Sequence, residues 1–146
     1  MDGQSDLDAR ILDARILEDV ADAFIYSDCS GAIVRWNHAS SVLFGFSAEE
    51  AVGCSLDIII PEHLRAAHWK GFHGAIATGT MKLAGRPTLT RALHRSGRKL
   101  YIEMTFALVR DADGGVLGAV AMARDATERV ERERAAKVRA TTPQNS

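Results

Sequence analysis

Residues 99–109 read KLYIEMTFALV. Ile102, Met104, Phe106 and Leu108 fall on alternate positions, the period of a strand with one face buried and the other open. A turn signal stands on either side, Ser96-Gly97 before and Asp111-Ala112-Asp113-Gly114-Gly115 after. Beyond those turns lie two more strand-like runs, LTRALHR (89–95) and VLGAVAMAR (116–124). Tight turns join antiparallel neighbours, so this half of the chain is expected to form an antiparallel, half-buried sheet.

Working outward, the N-terminal side carries another pair of short strands. AFIYSD (23–28) and AIVRW (32–36) flank the turn signal Cys29-Ser30-Gly31, which reads as a hairpin. Asn37 is a helix N-cap type; it ends the second strand and starts HASSVLFG, which Gly45 closes. Ser47-Ala48-Glu49-Glu50 is a capping-box pattern for another short helix. After LDIII (56–60), Pro61 opens a longer helix that runs to about Ala77 and stops at Thr78-Gly79. At the two ends stand an N-terminal amphipathic helix (residues 1–21) and a mixed-charge exit helix (residues 126–140), with 22–125 as the domain and 141–146 expected to be disordered. In the N-terminal helix the tandem LDARILDARIL makes two apolar seams, Leu7-Ile11-Ala14 and Leu12-Ile16-Val20, on different sides of the cylinder. One seam can serve its own domain and the other a second copy of the chain, or the helix is a cap on its own core. Strands, short helices, strands and an exit helix define an α+β fold, its antiparallel sheet covered on one face by helices.

Composition narrows the function. A chain of 146 residues, 47% hydrophobic, can bury one ordinary core. With 18 basic and 19 acidic residues and a formal charge of −1, it has no net field for a polyanion, so no nucleic-acid partner is expected. The absence of a long apolar run predicts no membrane span, and the polar start with two cysteines reads as cytoplasmic with reduced thiols. No Gly-x-Ser-x-Gly, Gly-Lys-Ser/Thr or His-Glu-x-x-His pattern occurs, which argues for a binding module and against an enzyme. Arg91 and Glu103 are expected to pair across facing strands.

The element order, with GAIVRWN, SAEEAVG, IIPEHLR, HRSGRKLYIEM and GAVAMARDATER, resembles the PAS sensory domain over roughly residues 18–130. The resemblance implies a five-stranded sheet in spatial order 2-1-5-4-3, with helices enclosing a pocket against it. It also implies a signalling helix handed on from the last strand at Asp125-Ala126-Thr127, where the family's pattern has Ile in place of Ala126.

Three of the five histidines, His63, His68 and His73, stand five residues apart in the longer helix. Five residues turn a helix by about 140°, so they cannot share a metal. His68 lies on the stripe of Leu64, Phe72, Ala75 and Ile76 and is expected to face the sheet. It reads either as a core imidazole or as an axial ligand to haem iron. The second reading rests on resemblance to haem-binding PAS domains of bacterial oxygen-sensing histidine kinases, whose pattern is matched by Pro61, Glu62, Arg65, His68 and Ala77-Thr78-Gly79. That likeness implies haem b as cofactor and gas sensing as a role, with His68 on the metal. It departs where the family has a propionate-binding arginine (here Gly74) and a distal arginine (here Thr88). Lys82 is the substitute cation for a propionate. The cofactor-binding set is then His68, Phe72, Ile76, Lys82, Thr88, Met104, Phe106 and Met122, in a pocket that Phe24, Phe44 and Ile59 also line. Trp69 reads as a pocket wall or a dimer contact. A flavin photoadduct is not expected, because alignment on EEAVG places Leu56 where light-sensing relatives have the reactive cysteine.

The expected function is therefore a sensory PAS module in cytoplasmic signal transduction. It binds haem or another small apolar ligand and relays occupancy through a homodimer and the exit helix to an effector domain or partner protein. The alternative is a ligand-free interaction and dimerisation domain.

Overall fold

The computed structural model describes residues 2–141 and carries its elements in the order α1 (Asp2–Asp19), β1 (Ala23–Asp28), β2 (Ile33–Trp36), α2 (His38–Phe44), α3 (Ala48–Ala51), a 3-10 turn (Leu56–Ile59), α4 (Glu62–Thr78), β3 (Thr88–Leu93), β4 (Lys99–Arg110), β5 (Val116–Asp125) and α5 (Thr127–Thr141). Of the tail read as disordered, residues 142–146 lie outside the described residues, while Thr141 ends α5. The strands form one antiparallel sheet in the order β2-β1-β5-β4-β3, so the last strand lies in the middle.

Local chemistry places the helix starts. Ser47 and Glu50 make the full capping box of α3, and Pro61 stands immediately before α4. Asn37 does more than cap α2. Its Oδ1 accepts from Ser40 N (3.0 Å), Ser40 Oγ (2.9 Å) and Phe24 N (2.9 Å). Its Nδ2 donates to Leu17 O (2.9 Å) and Asp22 O (3.0 Å). This buried carboxamide ties the end of α1, the entry to β1 and the start of α2 to one point.

Alternation sorts the sheet into two faces. Ala23 and Ile25, Ala121 and Ala123, Leu100, Ile102 and Met104, and Ala92 face the helices. Their neighbours Phe24, Tyr101, Glu103 and Met122 face outward. Under α2 and α3 the inner face is solid, and Ile59 of the 3-10 turn borders it. Trp36, Phe44, Ile33, Ala51 and Ile59 are buried there, and the Trp36 indole donates to Ser41 Oγ and Phe46 O.

The outer face receives α5. Thr127 Oγ1 accepts from Tyr101 N (3.0 Å), Val130 is buried, and Arg129 pairs with Glu103 at 3.2 Å. Tyr101 lies between the guanidinium groups of Arg91 (5.6 Å to the ring centre) and Arg134 (4.9 Å). The expected Arg91–Glu103 pair does not form, because the register sets Arg91 opposite Tyr101 and Glu103 opposite Leu89. The seams of α1 are not covered by its own domain along most of the helix: Leu7, Ile11, Leu12 and Ile16 are each about half exposed, while near its end Leu17 O accepts from Asn37 Nδ2.

Asn37→Ala should cost about 2–4 kcal/mol, the sum of a lost N-cap and buried groups left unpaired. Asn37→Asp keeps the cap but aims an acceptor at two carbonyls; it should spare α2 and loosen the α1–β1 junction. Chemical denaturation, with amide exchange at Ala21–Phe24 and Ser40–Ser41, distinguishes the two outcomes.

Candidate functional site

Below α4 the sheet is not filled. The inner positions of the central strand include Ala119 and Ala121, whose methyl groups leave a hollow between β5 and α4. The cavity measures about 360 Å³, within the ~300–1,000 Å³ usual for small-molecule sites. Its floor is formed by β1, β3, β4 and β5, with Ile25, Ser27, Ala119, Ala121, Phe106, Met104, Ile102, Thr88 and Thr90, and Arg91, Ala92 and Val120 also border it. Its roof is Leu56, Ile59 and Ile60 before α4, Leu64, Ala67, His68 and Phe72 on α4, and Met81 and Leu83 after it.

Five residues of the expected set, His68, Phe72, Thr88, Met104 and Phe106, therefore meet at one cavity, with Ile59. The rest are not on its walls. Met122 and Phe24 are opposite one another on β5 and β1, one position out of step with the inward alanines, and so occupy the outer face. Phe44 is fully buried in the solid half beside Trp36, at 5.5 Å. Ile76 lies on the α4 stripe past the cavity, and Lys82 is exposed between the two wall residues Met81 and Leu83. Ser27, Leu56, Met81, Leu83, Thr90, Ala119 and Ala121 were not anticipated. One sequence signal existed for the hollow: Ala119, Ala121 and Ala123 repeat with period two in the central strand.

His68 is the polar group of the roof. It is half-buried, and its Nδ1 is shielded from solvent without a hydrogen-bond partner. Burial lowers its pKa from the ordinary imidazole value, a shift which the carboxylate of Asp57 opposes and His73 reinforces. At neutral pH the ring is therefore uncharged, with one nitrogen free to accept or to ligate. His63 and His73 are exposed on other sides of α4, as the five-residue spacing requires.

Trp69 is neither a wall of this cavity nor free on the surface. Its Nε1 donates to Asp57 Oδ1 at 2.7 Å, and its ring lies on Gly31 in the β1–β2 turn. A Cβ on Gly31 would overlap that ring, and the residue's φ of +86° suits glycine as well. Arg65 donates to Ile60 O (3.0 Å) and Asp57 O (3.3 Å). Asp57 thus anchors the first half of α4 and holds His68 over the sheet. Neither cysteine reaches the cavity: Cys29 Sγ donates to Val116 O and Cys54 Sγ to Glu50 O. Leu56, aligned with the photoadduct cysteine, does line it.

The sequence profile of the family described as PAS fold matches residues 12–126. An uncharacterized protein of Azorhizobium caulinodans is 34% identical over 121 residues, 82% of this chain; the chain spans 16% of the length of that relative. Among solved structures, the PAS domain of a Colwellia psychrerythraea protein superposes with a TM-score of 0.72 at 24% identity, over 83% of this chain and 99% of that one. An RNA-binding light-oxygen-voltage receptor superposes with a TM-score of 0.70 at 26% identity, over 94% of this chain and 38% of that one.

The depressed pKa of His68 has a sign that can be tested. The fold holds the neutral ring, so its contribution is complete above pH ~6.5 and declines as pH falls below that value. Melting temperatures from pH 8 to pH 5 should therefore drop more for the wild type than for His68→Gln. An equal drop in both would assign the pH dependence to another group.

Proposed function

This chain belongs to the PAS family, and from that premise we propose that it is a ligand-gated sensory module whose cavity would hold haem b, with His68 as the residue that would bind its iron. Domains of the family are in general sensory, non-catalytic parts of signalling proteins, and they commonly dimerise. The observation that carries the finer reading is the unpartnered Nδ1 of a neutral histidine in the wall of an otherwise mainly apolar cavity. An orphaned buried nitrogen costs about 1–3 kcal/mol, which a bound group can recover.

The residues present suit haem. His68 would supply an uncharged imidazole, Phe72, Met104, Phe106 and Ile59 would supply apolar surface, and exposed Lys82, between the wall residues Met81 and Leu83, is the cation nearest in sequence for a propionate. Haem, when bound, supplies an iron centre that takes up small gases. Thr88, which stands where the resemblance has a distal arginine, lines the floor, and its hydroxyl donates to Arg86 O at 3.4 Å. No helix among the described residues is long and apolar enough to cross a membrane, and the expected place of action is the cytoplasm. The RNA binding named for the light-oxygen-voltage receptor is not carried over, since 18 basic and 19 acidic residues leave no positive field.

Relay from the cavity has a physical route. Ile102 and Met104 face the ligand, while Glu103 between them faces outward to Arg129 of α5. On β5, Arg124 faces outward beside Glu103 and pairs with Asp22 at the foot of α1 at 2.9 Å. A shift of β4 against β5 would therefore be felt at both terminal helices. We assign the exposed seams of α1 to a second copy of the chain, since Leu7, Ile11, Leu12 and Ile16 have no cover in one protomer.

Two outcomes are expected. Protein made with ample haem should show an intense Soret band, which His68→Ala removes while the fold persists and which His63→Ala and His73→Ala leave unchanged; colourless protein after reconstitution would overturn the haem assignment. In sedimentation, the wild type should be a dimer at micromolar concentration, and Leu7→Glu with Ile11→Glu should be a monomer with an unaltered circular dichroism spectrum of the core.

A further inference from the structure

We infer that the second half of α4 and the segment after it form a lid through which the cavity is entered, and that Arg110 is the latch that keeps it shut. The inference rests on the reading that the cavity holds a ligand, and it concerns how that ligand gets in.

The lid is bounded by two fixed points. At one end Trp69 is bonded to Asp57 and lies on Gly31. At the other, Gly85 N donates to Phe106 O at 3.2 Å, and Ala84 forms an isolated bridge with Phe106. Between these points, residues 70–83 contribute Phe72, Met81 and Leu83 to the roof, and Phe72 is the only buried residue of α4. Little apolar contact therefore holds this stretch down, which puts it at the low-stability end of the domain.

The same stretch is soft by sequence. Gly71 and Gly74 lie within the helix, yet a Cβ at either would meet nothing within 4 Å. Packing does not require them, and each weakens the helix relative to alanine. Thr78 Oγ1 donates back to Gly74 O at 2.8 Å, a bond that tends to bend a helix.

One polar contact closes the lid midway. The Arg110 guanidinium donates to Gly79 O, at the carbonyl end of α4, and to Gly114 O (3.2 Å) in the β4–β5 turn. A cation there meets the negative end of the helix dipole and unpaired terminal carbonyls. Gly79 has a φ of +68°, and a Cβ on it would press against Arg110 Nη1 at 3.3 Å, so glycine here serves both the cap and the latch.

The test uses the full chain as Arg110→Met and as Gly71→Ala/Gly74→Ala, first by native-state hydrogen exchange and then by stopped-flow uptake of hemin. Arg110→Met should speed exchange of the 73–79 amides about tenfold while β4 and β5 keep their rates. The double alanine variant should slow the same amides by about the same factor. Hemin should enter and leave faster in the first variant and more slowly in the second, with little change in affinity. The lid is overturned if the 73–79 amides ignore both variants, if β4 and β5 loosen equally with Arg110→Met, or if hemin binds at unchanged rates. If hemin does not bind at all, the exchange pattern still decides the lid, and only the haem assignment falls.

Discussion

Everything in this domain is positioned from one buried carboxamide. Asn37 has five polar contacts to satisfy and one arrangement that does so, with β1 entering at Phe24, α2 starting at Ser40 and α1 ending near Leu17. In a buried setting, leaving any of these groups unpaired costs more than an exposed ion pair such as Arg124–Asp22 returns. The junction is therefore held by hydrogen bonds, and the surface charges are free to respond to what happens beneath the sheet.

From that junction the helices cover the sheet unequally. The half under α2 and α3 is packed by Trp36, Phe44 and Ile33 and supplies the stability. The half under α4 is spanned rather than filled, because the central strand offers only methyl groups there. A hollow of this size forfeits packing energy. That roof is anchored at Asp57 through Trp69 and at Arg110 through Gly79, with Gly71 and Gly74 between.

Each strand also joins two functions by its pleat. On β4, Ile102 and Met104 look into the cavity while Tyr101 and Glu103 hold α5; on β5, Ala121 and Ala123 look inward while Arg124 reaches Asp22. No residue need reach both the cavity and the helix, because adjacent residues of one strand do so on opposite faces.

By itself the sequence determined the elements and their punctuation: the alternation of 99–109, the cap at Asn37, the capping box at Ser47, the stop at Gly79 and the inward direction of His68. These depend on bonds within a few residues or on a single period, and both are visible in a linear text. The tertiary structure alone decided which large apolar residues meet. Phe24 and Met122 were expected in the pocket, but the pairing of β1 with β5 turned both outward; Phe44 went to the solid half, and small alanines became part of the floor. It likewise gave Arg91 to Tyr101 and Trp69 to Gly31, and left Leu7, Ile11, Leu12 and Ile16 of the α1 seams exposed. Those outcomes follow from register and from which element covers which face, and they are set by contacts between residues far apart in the chain, where local pattern carries no information.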